Sequence, residues 1–226
     1  MKIGIISAMS EELELIINEL ENKESRSICG IEFYLGKLNK TDIVATICGV
    51  GKVNAATITA IMVDSFTPDL IINSGIAGGT EGLNTGDVVI ADKFSYSDLD
   101  VTAFGYELGQ VPGMPLYFYP DENYKKLLEQ TFQDNEINFV NTTVLTADTF
   151  RTSAKDIKNN IPLGYAVEME GAAIAQVCFK LKVPFLSIRV ISDILDTESH
   201  IQNYEAFEKE ASHLSSKMTI SFIKSL

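Results

Sequence analysis

Three stretches of this chain carry side chains whose types and spacing suit chemistry. The first is Val167-Glu168-Met169-Glu170-Gly171-Ala172-Ala173, with two carboxylates two positions apart among apolar neighbours. On a strand that spacing turns both acids to one face. A buried carboxylate is costly unless paired or hydrogen-bonded, so such a pair reads as a site, against the simpler reading of two solvated acids at a strand end. The second is Arg189-Val190-Ile191-Ser192-Asp193, where a charge at each end brackets an apolar run. Arg189 there needs an anionic or polyhydroxyl partner inside, and Asp193 sits where the strand opens into a loop. The competing reading is an Arg–Asp pair on a surface edge. The third is Ala8-Met9-Ser10-Glu11-Glu12. Glu12 falls in a first helical turn, beside the core-facing stripe, where the helix dipole favours the ionised form and suits a general base. Alternatively both acids only complement the dipole. Two glycine segments, Gly49-Val50-Gly51 and Gly75-Ile76-Ala77-Gly78-Gly79, could bring backbone N–H groups to a ligand, or serve as tight turns; neither has Walker A or Rossmann spacing.

These segments are punctuation in an alternating pattern of strands and helices. Residues 2–7 form a short apolar run, read as a buried strand. Ser10 is placed to cap a helix whose core face is Leu13, Ile16, Ile17 and Leu20. Residues 31–38 and 42–47 read as a strand pair turning at Asn39-Lys40. A small-residue helix follows over 52–66, then a strand over 69–73 that ends in the second glycine loop, and another over 86–92. From Phe94 to Pro120 there is no clean period, which is typical of binding loops. The second half reads as a helix over 122–133, a strand over 139–146, a short helix ending before Pro162, a strand over 165–169, a helix over 171–182, a strand over 185–191 and a last helix over about 205–225. The implied fold is α/β: one layered domain over residues 1–226, with a central mixed, mostly parallel sheet flanked by helices. In such folds ligands sit at the carboxyl ends of strands, where all the segments above fall.

Bulk properties narrow the function. The 226-residue chain carries a formal charge of −13, which argues against nucleic-acid binding and attraction to anionic membranes. The N-terminus is too short in its apolar run for a secretion signal, and no stretch approaches a membrane span. Cys29, Cys48 and Cys178 are odd in number and far apart, and read as buried free thiols of a reducing, cytoplasmic compartment. With only His200 and His213 beside them, neither a metal site nor a cofactor is expected.

Together the segments resemble the nucleoside phosphorylase/nucleosidase superfamily and, within it, the methylthioadenosine/S-adenosylhomocysteine nucleosidases. The likeness runs from Met1 to the last helix. It is most specific over residues 1–9 with Glu12, Gly49-Val50-Gly51-Lys52-Val53-Asn54-Ala55-Ala56, Asp100-Val101-Thr102-Ala103-Phe104-Gly105-Tyr106, residues 167–170 and residues 189–193.

That resemblance implies a homodimer with one adenine-nucleoside pocket per subunit and no cofactor. Carried over by position, Asp193 faces adenine N7 as general acid with Ser192 beside it, and Glu12 is the base for the attacking water. Glu170 binds the ribose hydroxyls, Met169 lies against the sugar and Arg189 near the water. Phe150 stacks on adenine, Arg151 contacts it through its backbone, and Ile76 and Gly78 border it. Met9, Val50, Val101, Phe104, Tyr106 and Tyr204 wall a 5′-thio pocket that Pro112 of the partner subunit completes. Such an arrangement divides acid and base roles between carboxylates and places Glu170 near the developing oxocarbenium charge. The chain departs from the family pattern at Ile76, which stands where many relatives carry a hydroxyl near the catalytic aspartate. It also departs at Cys48, Thr146-Ala147 and Arg151, and by one inserted residue before Tyr204. The alternatives are a purine nucleoside phosphorylase, a hydrolase of another purine nucleoside and a catalytically silent binding protein, all on the same fold. Only Arg26, Arg151 and Arg189 are available for the anion pocket that phosphorolysis needs, and a carboxylate base would repel phosphate.

Overall fold

The structure is a computed structural model that describes residues 1–157, 161–198 and 200–226. Strand β1 (Lys2–Ser7) is buried from Ile3 onward on both faces, as a central parallel strand must be. Helix α1 (Ser10–Glu19) follows, and its N-cap is Met9 rather than the expected Ser10. The Ser10 hydroxyl turns to Glu11, while the Glu12 carboxylate folds back to accept the N–H groups of Ala8 and Met9 at 2.8 and 3.0 Å.

A strand not expected from the sequence comes next, β2 (Glu21–Ile28), exposed along almost its whole length. Having no apolar alternation, it owes its conformation to pairing with β3 (Ile31–Leu38). The hairpin turns on Cys29 and Gly30, both at positive φ (53° and 79°), the geometry of a type I′ turn. Cys29 is therefore an exposed thiol, a correction to the expectation that all three cysteines are buried; Cys48 and Cys178 are buried.

Strand β4 (Thr41–Ile47) and helix α2 (Lys52–Phe66) lie where expected. Strand β5 (Leu70–Gly79) does not stop at Asn73: the glycine segment read as a loop is strand throughout. Strand β6 (Val88–Tyr96) also runs past its expected end. The stretch from 97 to 120 is irregular apart from a 3-10 turn at Thr102–Phe104 and an antiparallel bridge from Phe118 to Phe94 of β6. Helix α3 (Glu122–Asp134), strand β7 (Val140–Thr146), strand β8 (Ala166–Glu168) and helix α4 (Gly171–Leu181) follow. Of the short helix expected before Pro162, a 3-10 turn at Ala154–Asp156 is seen, and positions 158–160 lie outside the described residues. Strand β9 (Phe185–Ile194) extends through Asp193, which is thus held in a ladder and not at a loop mouth. Helix α5 (His200–Ser225) closes the chain, starting earlier than its apolar pattern indicated.

The strand order is β2-β3-β4-β1-β5-β8-β7-β6-β9, with β9 also paired to β5, so β5, β8, β7, β6 and β9 close on themselves. The sheet is mixed, parallel at β1–β4, β1–β5, β5–β9, β6–β7 and β7–β8 and antiparallel elsewhere. One face packs Ala55, Ile58 and Met62 of α2 and Ala172, Ile174 and Cys178 of α4. The opposite face packs Leu13 and Ile16 of α1, Leu128 and Phe132 of α3, and Ala211 and Phe222 of α5. Layers on both faces fix the strands and so fix what protrudes at their carboxyl ends. Among the described residues no helix is long and apolar enough to cross a membrane.

Candidate active site

A cavity of about 230 Å³ opens at those carboxyl ends. Glu12, Glu170 and Asp193, far apart in sequence, all line it. Met9 comes from the end of β1, Val50 from the loop before α2, and Ile76 and Gly78 from β5. Phe150 and Arg151 come from the loop after β7, Met169 from the β8–α4 junction, Ser192 from β9 and Tyr204 from α5. Arg189 lies beneath the wall, 1% exposed, and Val101, Phe104, Tyr106 and Pro112 stand outside the cavity of the single chain, with Phe104 81% exposed.

Glu12 is buried and strongly held. Its Oε2 takes the Ala8 and Met9 N–H groups and its Oε1 takes the Ile76 N–H at 2.9 Å. Burial nonetheless pushes its carboxyl above the ordinary range, opposed by the Arg189 guanidinium and by those backbone donors. A carboxylate so raised is a stronger base than a solvated one. Gly75 makes this packing possible: a Cβ there would overlap Glu12 Oε1 and Arg189 Nη1.

Strand β8 stops at Glu168, so the two-residue period breaks down before Glu170 and the two acids take different jobs. Glu170 is the N-cap of α4, and its Oε1 accepts the Gly51 N–H at 2.8 Å. Gly51, at φ 104°, adopts backbone that other residues resist. Burial first, and then the neighbouring Glu168 carboxylate, raise Glu170; Arg189 and the Gly51 N–H oppose them. Glu168 lines the cavity too, but it also braces it: its Oε2 accepts the N–H groups of Glu170 (2.8 Å) and Gly171 (2.6 Å) and pairs with Arg189 Nη2 at 2.6 Å, while Oε1 takes the Thr146 hydroxyl. Arg189 also donates to Asn73 Oδ1 and, at 3.2 Å, to the Ile76 carbonyl. The inside partner that Arg189 required is thus Glu168 with Asn73, not a surface Asp.

Asp193 is 2% exposed. Its Oδ1 accepts the Ser192 hydroxyl at 2.5 Å, and its Oδ2 lies 2.6 Å from His200 Nε2. At the mouth, Phe150 meets Tyr204 edge to face at 5.2 Å between centroids, and the Tyr204 hydroxyl donates to Glu208 at 3.0 Å. The loop that carries Phe150 is tied down behind: Asp148 Oδ1 accepts the Lys52 N–H at 2.8 Å, Asp148 N–H donates to Asp98 at 2.8 Å, and Lys52 Nζ reaches Asp98 at 2.7 Å.

Glu168, Asn73 and His200 join the site without having been expected there from local sequence. Glu168 is flagged in the sequence by its spacing from Glu170. Asn73 and His200 sit in unremarkable local surroundings, and only the fold brings them in.

The cavity pairs an acidic, hydrogen-bonded floor with an aromatic and thioether mouth, suited to a polar sugar bearing a flat base and an apolar tail. The phosphorylase superfamily model matches residues 2–224. A 5′-methylthioadenosine/S-adenosylhomocysteine nucleosidase of Geobacillus sp. (strain WCH70) is 43% identical, over 100% of this chain and 99% of its own. The S-adenosylhomocysteine nucleosidase of Streptococcus pyogenes, solved with 5-methylthiotubericidin, superposes with a TM-score of 0.94 at 36% identity, covering 100% of this chain and 97% of that one. The 5′-methylthioadenosine/S-adenosylhomocysteine nucleosidase of Colwellia psychrerythraea 34H, solved with adenine, gives 0.94 at 39% identity, covering 100% and 96%. Likeness of this extent, over the whole length and in the whole fold, places the chain in the phosphorylase superfamily and, within it, in the methylthioadenosine/S-adenosylhomocysteine nucleosidase family.

Proposed function

We propose that this chain hydrolyses the N-glycosidic bond of 5′-methylthioadenosine and S-adenosylhomocysteine, and of 5′-deoxyadenosine, releasing adenine and the 5′-substituted ribose. It would thereby serve methionine salvage and the recycling of S-adenosylmethionine by-products. The observation that carries the reading is the meeting of Glu12, Glu170 and Asp193 around one cavity.

In this reading adenine lies between Phe150 and Asp193, with Gly78, Ile76 and the Arg151 backbone along its edge. Asp193 protonates N7 as the bond to the ribose stretches, and Ser192 steadies its other oxygen. Glu12, raised by burial, takes a proton from the attacking water, and Arg189 lies near that water behind Glu12, whose charge it offsets. Glu170 binds the ribose hydroxyls and, with Met169, lies against the sugar as positive charge develops there. Phosphate is a poor fit: the cavity presents carboxylates where the nucleophile would stand, and the guanidinium of Arg189 is already engaged by Glu168.

The 5′-thio group points to Met9, Val50 and Tyr204. We further propose that the protein is a cytoplasmic homodimer, the whole chain acting as one domain. Val101, Phe104 and Tyr106 then wall the pocket, and Pro112 of the partner subunit completes it. The exposure of Val50, Val53 and Phe104 supports this, since large apolar side chains left open on one chain suit a covering partner.

The direct test follows adenine release from methylthioadenosine by absorbance, with and without phosphate. Turnover that is independent of phosphate supports hydrolysis; a strict phosphate requirement, or no turnover, overturns it.

A further inference from the structure

The side chain closest to Asp193 from outside its own strand is an imidazole. His200, in the first turn of α5, is 5% exposed, and its Nε2 stands 2.6 Å from Asp193 Oδ2. The contact is one of distance and charge and not an aligned hydrogen bond: neither ring nitrogen makes a hydrogen bond among the described residues, and Nε2 faces Oδ2 as its ion-pair partner. Among the described residues, Asp193 is the carboxylate at ion-pair distance from the ring. Its centroid lies 5.6 Å from that of Phe150, tilted by 55°. Oδ2 also lies beside Gly78 of the cavity lining, where a built Cβ would stand 3.1 Å from it. Ser192, on the same strand, holds only Oδ1. A carboxyl gripped at one oxygen can still swing about its Cβ–Cγ bond; a second grip from another element fixes its plane. Each carboxylate oxygen keeps a further lone pair, so this grip leaves room for a base.

We propose that His200 is a positioning residue for the general acid: from α5 it fixes Oδ2 of Asp193 in the plane that delivers the proton to the leaving base. This rests on the reading of Asp193 as the acid. The physical warrant is that a catalytic group displaced by about 1 Å can lose on the order of 10²-fold in rate. By touching Phe150 as well, His200 ties the placement of the acid to the aromatic that faces the base.

The test compares two substrates that differ in their need for an acid. Methylthioadenosine has a basic leaving group. A 4-nitrophenyl glycoside of 5-methylthioribose has one that departs without a proton. His200→Ala is expected to lose about 10²-fold in kcat on methylthioadenosine, with KM within about threefold, while the nitrophenyl rate stays within about threefold of wild type. His200→Gln, whose amide can reach Oδ2, should recover about tenfold of that loss. Equal losses on both substrates would reduce His200 to a structural role, and an unchanged rate on methylthioadenosine would remove even that. A fall in KM would instead make the imidazole a competitor of the base. If His200→Ala does not fold, His200→Gln and His200→Asn carry the same comparison. Asp193→Asn separates the two readings: if it slows both substrates alike, the acid assignment fails whatever His200 does.

Discussion

Arg189 and Glu168 form an ion pair of 2.6 Å with side chains only 1% and 3% exposed, under the floor of the cavity. Glu168 has Arg189 as its cationic partner, whereas the Arg189 guanidinium also faces the Glu12 and Glu170 carboxylates. Arg189→Met is therefore expected to cost about 3–5 kcal/mol in urea unfolding, because it leaves Glu168 buried without its cation, and Glu168→Gln should cost less, because Arg189 keeps Glu12 and Glu170 as counter-charges. The double variant should recover part of that loss. Strictly additive single losses would mean the pair is not coupled as its geometry requires.

Glu12→Gln and Asp193→Asn each keep the shape of the side chain and remove its proton chemistry. Turnover should fall by about 10²–10⁴-fold in each; Asp193→Asn should unfold close to wild type, whereas Glu12→Gln should melt lower, because its amide nitrogen would face a backbone N–H that the carboxylate accepted. A variant that retains a near wild-type rate loses its assigned role.

Glu170 makes a prediction whose sign depends on pH. Its folded-state carboxyl is pushed up to about 8 by burial and by Glu168. The folded protein thus holds this proton more tightly than the unfolded chain does. The stabilisation is present below the ordinary carboxylate range, about 4.3, and is lost as pH rises toward 8. Glu170→Gln removes the penalty, so it should melt higher than wild type at pH 8.5, by about 2–4 °C for each kcal/mol relieved, with the difference shrinking toward pH 5. A difference that does not vary with pH would contradict the shift. The same variant should lose ribose binding and turnover.

The Lys52–Asp98–Asp148 cluster anchors the loop that presents Phe150, through partly buried charges. Lys52→Ala should act through the loop and not through the carboxylates. KM for methylthioadenosine is expected to rise about tenfold while kcat changes less than about threefold, a fraction of what removal of a catalytic carboxylate costs. Steady-state kinetics decide it; a fall in kcat alone would place Lys52 in the chemical step.

Where local patterns were dense, the sequence was readable. The apolar runs of β1 and β9 lie close to where the sequence places them, because burial on two faces leaves a continuous apolar signature, and α2 lies where its small-residue pattern put it, with one buried stripe. Strand β2 has no such signature: solvent reaches nearly all of it, so nothing in its own composition selects a strand. The segment 75–79 misleads in the opposite sense. Its glycines look like a turn, but they lie in extended β5, where Gly75 leaves space for Glu12 and Arg189 and Gly78 borders Asp193.

The sequence by itself determined the alternation of strands and helices, the acidic character that disfavours nucleic acid, and the carboxylates available for acid–base work, since these depend on residue type and near-neighbour spacing. Only the tertiary structure decided what each carboxylate is bonded to. Glu168 and Glu170 are two residues apart, yet one is paired with Arg189 and the other is held by Gly51. Likewise only the packing of α5 against β9 brings His200 to Asp193. Such pairings are set by strand order and helix docking across the whole chain, and no local window of sequence contains both partners together with the contacts that orient them.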